Sequence, residues 1–369
     1  MKRGSRMNRV LDFWVGTPVL NLLATFRRRR KPPTQILRLG VMCSPALGDT
    51  LLFSAALQDL RAAYPQAHIT HICMKQNLAA AEIIPGADER LLISLTDPKG
   101  TIPKLRAQRF DALVDFSSWQ RLTAFYSLMS GAKYIAGFAT KGMRRSRGYD
   151  RTAEHRNDRH EIKNFRALVE GCGLVSAPFH HHEPALLLDE SGPMPFAEEP
   201  DLIAFHLWAS GQNSHLREWD DANWIALAKA IARPETLFLI TGGPGDRERS
   251  EPFVAAMNAA GIRTQSFVSP DGFRTLTRVL KRCRAVVSVN TGVMHLAAVA
   301  GAPTVSLNGP TAEHRWGARG PRVANVQPAD GSGGYLHLGF EFGENPAHVM
   351  PQILVSQAID AVRQVEAVR

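Results

Sequence analysis

Residues 285–311 read AVVSVNTGVMHLAAVAGAPTVSLNGPT. AVVSV (285–289) is an apolar run rich in valine, the composition of a strand buried on both faces of a parallel sheet. Asn290, Thr291 and Gly292 make a turn, VMHLAAVAG (293–301) has helical spacing, and PTVSLNG (303–309) is extended again. A strand leads through a short turn into a helix, and the helix returns to a strand. Backbone N–H groups and the positive helix end at Thr291 and Gly292 predict an anion site. His295 lies one turn into that helix, where it could face a bound nucleotide.

The same alternation runs outward in both directions. Toward the C-terminus a helix is expected over 350–367. Toward the N-terminus come a helix at 273–283, an extended stretch at 262–268, a helix at 249–260, TLFLIT (236–241), a helix at 221–232 and LIAFHLW (202–208). Before these, residues 176–200 are proline-rich and irregular, and read as a linker. An earlier set of alternations precedes it: ILRLGVMC (36–43), TLLFSAALQDLRAAY (50–64), HITHICM (68–74), LLISL (91–95), DALVDF (111–116), KYIAGF (133–138) and a helix at 162–172. Two such runs predict an α/β protein with two doubly wound Rossmann-like domains, 34–175 and 201–369. Ligands of such sheets bind at the carboxyl ends of the strands, and two sheets facing each other would make a cleft for two substrates.

The 369 residues include 44% hydrophobic and 21% charged side chains, which excludes a disordered, collagenous or multi-span membrane chain. Cys43, Cys73, Cys172 and Cys283 are widely spaced, which argues against a disulfide scaffold or a cysteine zinc site and suits a reducing cytoplasm. Net charge is +10, and residues 1–33 carry +8 of it: nine basic side chains against Asp12 alone. Within them WVGTPVLNLLATF (14–26) is too short to span a bilayer, which takes ~20 residues. It predicts a basic interfacial helix, with Trp14, Leu20, Leu23 and Phe26 in the headgroup boundary of an anionic membrane surface. A frayed basic tail or a helix docked on the protein body is the alternative. A second basic stretch, 141–166, includes Arg144, Arg145 and Arg147, candidates for binding a phosphorylated or acidic acceptor. Few aromatics accompany it, so nucleic acid is not expected as a partner.

Four turns carry the chemistry. SPALGDTLL (44–52) follows the first strand and puts Asp49 at a helix start, either as a helix cap or as a general base. ASGQNSHLREWDDANW (209–224) offers Ser210 and Gly211 for close backbone approach and Arg217 for a phosphate, while Trp219 and Trp224 suit packing. TGGPGDRE (241–248) supplies a tight turn at Gly243 and a hydrogen-bonding carboxylate at Asp246; it is not the dinucleotide GxGxxG pattern. The fourth is the turn at Asn290, Thr291 and Gly292. No Asp-x-Asp occurs, and HHHE (180–183) reads as solvated, so no metal and no cofactor are expected.

At these four places together the chain resembles glycosyltransferase family 9, the heptosyltransferases of lipopolysaccharide core assembly. The resemblance runs from residue 36 to the C-terminus, includes GGYLHLGFEF (333–342), and is most specific in NTGVMHLAAVAGAPTVSLNGPT. It implies a GT-B fold, with an acceptor-side N-terminal domain and a nucleotide-sugar-binding C-terminal domain. Carried over by position, Asp49 matches the catalytic base, Arg217 a phosphate-binding residue, Asp246 a ribose contact, and Thr291, Gly292 and His295 the diphosphate turn. Asn290 stands where the family usually has Asp.

The resemblance implies an inverting, metal-independent transfer of a sugar, with heptose the leading choice, from a nucleotide donor, with ADP the leading base, to a glycolipid acceptor on the inner face of the cytoplasmic membrane. Two other classes fit the fold. An NAD(P) oxidoreductase lacks its glycine turn here. A noncatalytic nucleotide- or nucleic-acid-binding protein would explain the charge and leave Asp49 unexplained.

Overall fold

Strands form where the apolar runs stand, and helices where the spacing turns to 3.6. The computed structural model describes residues 12–14, 16–43, 46–175, 180–211, 213–338, 341 and 343–368. The chain divides into two compact units between Leu187 and Leu188.

In the N-terminal unit the strands are β1 (Arg38–Met42), β2 (His68–Met74), β3 (Glu89–Ile93), β4 (Ala112–Asp115), β5 (Tyr134–Thr140) and β6 (Arg151–His155). They form a parallel sheet in the order β3-β2-β1-β4-β5-β6. The principal helices are α1 (Gly16–Thr25), α2 (Leu47–Ala63), α3 (Pro98–Ala107), α4 (Arg121–Met129) and α5 (Glu161–Gly171). Strand order reverses at β1, which lies between β2 and β4, so the carboxyl end of β1 is the topological switch point.

In the C-terminal unit the strands are β7 (Asp201–His206), β8 (Thr236–Thr241), β9 (Thr264–Phe267), β10 (Ala285–Val289), β11 (Thr304–Leu307) and β12 (Val323–Val326). This sheet is also parallel, in the order β12-β11-β10-β7-β8-β9, and it switches between β10 and β7. Its helices are α6 (Asp221–Ile231), α7 (Arg247–Ala259), α8 (Phe273–Arg282), α9 (Gly292–Val299) and α10 (Val355–Ala367). Ile203, Phe205, Phe238, Ile240 and Val287 share one core with Trp224 of α6 and Val362 of α10. Trp219 and Trp224 pack as expected, at 5.4 Å between ring centroids.

Three segments make contacts beyond the sequence expectation. The basic 1–33 stretch is no free appendix over its described part. α1 lies on α4, Leu20 is 1% exposed in the core of the N-terminal unit, and Arg27 pairs with Asp150 at 2.5 Å. Lys2, Arg3, Arg6 and Arg9 lie outside the described residues. The expected linker is committed on both sides of residue 187, residues 176–179 lying outside the described set. The Leu187 N–H bonds Ile83 O, whereas Asp189 pairs with Arg274, and Arg278 donates to the Ser191 and Gly192 carbonyls.

HHHE is the third: exposed at His180 and Glu183, as a solvated stretch would be, it still takes partners. His182 Nδ1 lies 2.9 Å from the buried Asp59 carboxylate, His181 Nε2 lies 3.1 Å from Glu170, and Glu183 pairs with Arg166. A buried carboxylate left in α2 needs such partners, and the histidines supply them.

Candidate active site

Asp49 sits where the first sheet switches. The chain leaves β1 at Met42 and enters α2 at Leu47, with Ala46 at the N-cap position. Asp49 is therefore the third residue of the helix and not its cap, and its side chain is half-buried in the first turn. The positive end of α2 favours its ionised form, the form a base needs. Ser44 and Pro45 of the same turn lie outside the described residues.

Among the three arginines expected to meet the acceptor, Arg144 and Arg147 are exposed, and Arg144 holds a left-handed backbone with φ 49°. Arg145 is a correction. Its guanidinium is fully buried, paired with Asp115 and hydrogen-bonded to Tyr149 Oη at 3.1 Å and the Gln120 carbonyl at 3.0 Å. Tyr149 donates to the same Asp115 carboxylate at 2.6 Å. Arg145 thus neutralises a buried acid at the end of β4 and presents no charge to an acceptor.

The remaining candidates gather at the carboxyl edge of the second sheet. After β7, Arg217 Nη2 donates to the Ser210 carbonyl at 2.5 Å. Gly211 has φ 99°, and a Cβ there would lie 3.9 Å from the same nitrogen. Ser210, Gly211 and Arg217 therefore form one cluster. Glu218 binds Arg249 of α7, whose guanidinium lies 5.2 Å from the Trp208 ring centroid, which ties this turn to the next.

After β8, Asp246 Oδ2 accepts the Gly243 N–H at 2.8 Å and closes the glycine turn. A Cβ on Gly242 would come within 3.0 Å of Asp246 Cβ, which explains the glycine. After β10, Thr291 is the N-cap of α9, its hydroxyl 3.5 Å from Met294 N. Gly292 opens the helix, and His295 is buried at 3% exposure.

Asn290 is held by its amide. Nδ2 donates to Asn308 Oδ1 at 2.7 Å and to the Trp316 carbonyl at 2.8 Å. Asn308 Nδ2 in turn donates to Asn325 Oδ1 at 3.1 Å, so an amide ladder crosses β10, β11 and β12. An amide suits this position because both of its neighbours are acceptors.

One residue of this edge carries no motif. His206 ends β7 at the switch point, beside Ser288 of β10 and next to Thr241 of β8. The signal for it is register: a polar residue ending the first strand of a doubly wound unit. Among the described residues no group of three or more His, Cys, Asp and Glu side chains is placed to hold a metal ion.

The sequence pattern of glycosyltransferase family 9 (heptosyltransferase) matches residues 101–332, more than half of the chain. A lipopolysaccharide heptosyltransferase 1 from Pseudomonas aeruginosa is 35% identical over 122 residues, 33% of this chain and 32% of that protein. The chain thus spans about a third of that curated relative. Among solved structures, an E. coli ADP-heptose lipopolysaccharide heptosyltransferase II superposes with a TM-score of 0.68 at 18% identity, covering 89% of this chain and 100% of the other. An E. coli heptosyltransferase with ADP gives a TM-score of 0.66 at 17% identity, covering 89% and 99%. These likenesses establish a shared fold.

Proposed function

The chain belongs to glycosyltransferase family 9, and from that membership we propose that it transfers a heptose from an ADP-linked donor to the core of a lipopolysaccharide-type glycolipid, with inversion at the anomeric carbon. The observation that carries this reading is the joint placement of the two sets of residues. Asp49 stands at the switch point of the first sheet, and the Arg217, Asp246 and Thr291 turns share the carboxyl edge of the second. The heptosyltransferase fold solved with ADP supports the choice of base.

In this reading Asp49 removes the proton from an acceptor hydroxyl as that oxygen attacks the anomeric carbon opposite the nucleotide. Negative charge develops on the leaving diphosphate. The Arg217 guanidinium and the N–H groups opening α9 stabilise it, without a divalent ion. Arg144 and Arg147 attract the anionic acceptor. The exposed face of α1 holds the protein on the inner leaflet of the cytoplasmic membrane. Among the described residues no helix is long and apolar enough to cross a membrane.

The test is transfer by the Asp49→Asn protein. Rate is expected to fall by ~10²–10⁴, the usual worth of a general base, with ADP affinity kept within a few-fold. Wild-type turnover is expected to persist in excess EDTA. Near-normal transfer by the variant would leave Asp49 as part of the helix turn alone. Loss in EDTA restored by Mg²⁺ would transfer the diphosphate role from Arg217 to a metal.

A further inference from the structure

His206 is a buried side chain that the proposed transfer leaves unused. It is 8% exposed. Nδ1 lies 2.9 Å from the Thr241 carbonyl oxygen and 3.0 Å from Thr241 Oγ1. A carbonyl can only accept, so Nδ1 carries the proton. Thr241 Oγ1 spends its own proton on the Phe205 carbonyl at 3.1 Å and accepts from the ring. The tautomer is thereby fixed, and Nε2 is a bare acceptor with no hydrogen bond among the described residues. Burial holds the ring pKa down at about 4, so it is neutral at physiological pH.

Its position gives that lone pair a purpose. His206 ends β7 at the β10–β7 switch, the place where doubly wound sheets take ligands. The diphosphate turn at Asn290, Thr291 and Gly292 follows the neighbouring strand on one side. The Gly243–Asp246 turn follows the neighbouring strand on the other, and the Asp246 charge reaches the ring. A neutral ring whose free nitrogen only accepts would repel a phosphate oxygen and pair with an O–H or N–H.

The geometry points to His206 as a donor-binding residue that accepts, through Nε2, a hydrogen bond from a hydroxyl or amino group of the nucleoside, and not from the diphosphate. This rests on the nucleotide-sugar reading of the second sheet. It adds a neutral acceptor on the nucleoside side, where the Asp246 carboxylate is the other contact expected.

The test uses the full chain and isothermal titration with ADP, GDP, UDP and inorganic pyrophosphate. His206→Asn is the variant, because its amide nitrogen can keep the bond to Thr241 while Nε2 is lost. Affinity for the preferred nucleoside diphosphate is expected to fall roughly three- to tenfold, the worth of one neutral hydrogen bond, with pyrophosphate affinity and Tm unchanged. Nitrogen NMR of the wild-type protein, labelled in histidine, provides the second measurement: the bare Nε2 resonance is expected to shift with nucleotide and stay with pyrophosphate. Unchanged nucleotide affinity in the variant overturns the assignment. Equal loss for nucleotide and pyrophosphate also overturns it, as does an Nε2 resonance that ignores nucleotide. If wild-type protein bound pyrophosphate but none of the three nucleotides, the donor-site reading itself would fall, and this inference with it.

Discussion

The side chain of Asn290 donates to two acceptors, Asn308 Oδ1 and the Trp316 carbonyl, and a carboxylate there would set oxygens against oxygens. The Asn290→Asp protein is therefore expected to lose about 1–3 kcal/mol, the cost of leaving buried polar groups unmatched. Urea unfolding at pH 7 measures it. The deficit should shrink as pH falls, because the introduced carboxyl has a raised pKa in the folded state and regains one donor on protonation. An Asn290→Asp protein as stable as wild type at every pH would show that the amide ladder contributes nothing. The same residue shows what a sequence can convey at this scale. Resemblance located the position and the departure from Asp, but the acceptors that suit an amide come from Asn308, just after β11, and from the short helix Glu313–Trp316, and no local pattern names them. His206 was hidden for a related reason: LIAFHLW reads as a strand, and only the register against Ser288 places its last residues at a ligand edge.

Among the elements, the interior strands were the most legible, since AVVSV and TLFLIT are buried at every position and match β10 and β8 in full. Two of the edge strands, β6 and β12, were not. β6 (RTAEH) exposes most of its side chains and carries charge on its outer rim, so it reads as part of a basic loop; such charge also protects an unpaired edge. α1 was legible as a helix but not in its docking. Asp12, the sole acid before residue 34, accepts the Arg121 and Leu122 N–H groups at 3.1 and 3.2 Å and pairs with the Arg121 guanidinium at 3.0 Å. It caps α4 from far away in sequence, where the Gln120 side chain at the N-cap position does not cap the helix. Asp12→Ala is expected to cost at least ~1 kcal/mol for the cap. It should cost more in total, since breaking a buried ion pair costs about 3–5 kcal/mol and Arg121 is nearly buried. Asp12→Asn, which keeps an acceptor but no charge, should fall between. Chemical denaturation of the three proteins checks the order, and an Ala variant matching wild type would remove Asp12 from the fold.

At the scale of the whole molecule the charge is lopsided, and the docking of α1 decides how its effect can be measured. Deleting residues 1–33 would strip Leu20 from the core, Asp12 from α4 and Arg27 from Asp150, so lost membrane binding could not be separated from lost structure. The outward face allows a cleaner experiment. Trp14, Leu22 and Phe26 are 71%, 61% and 84% exposed, while Leu20 faces inward, and exposed Arg28, Arg29, Arg30 and Lys31 follow directly. Exposed apolar side chains next to basic groups are what an anionic lipid surface binds, each basic residue adding about 1 kcal/mol near the headgroups. Binding of the full chain to vesicles with acidic lipid should weaken steeply with salt, because exposed charges are screened within ~10 Å at 0.1 M. Trp14→Ser, Leu22→Ser and Phe26→Ser together should reduce vesicle binding by more than about tenfold, as each buried apolar side chain is worth roughly 1.5–3 kcal/mol. Their Tm should fall little, since all three are mostly exposed and Trp14 meets Phe13 only edge-on, at 5.7 Å between centroids. Equal binding to uncharged vesicles, or a triple variant that binds as wild type does, would assign the exposed face of α1 to something other than a membrane.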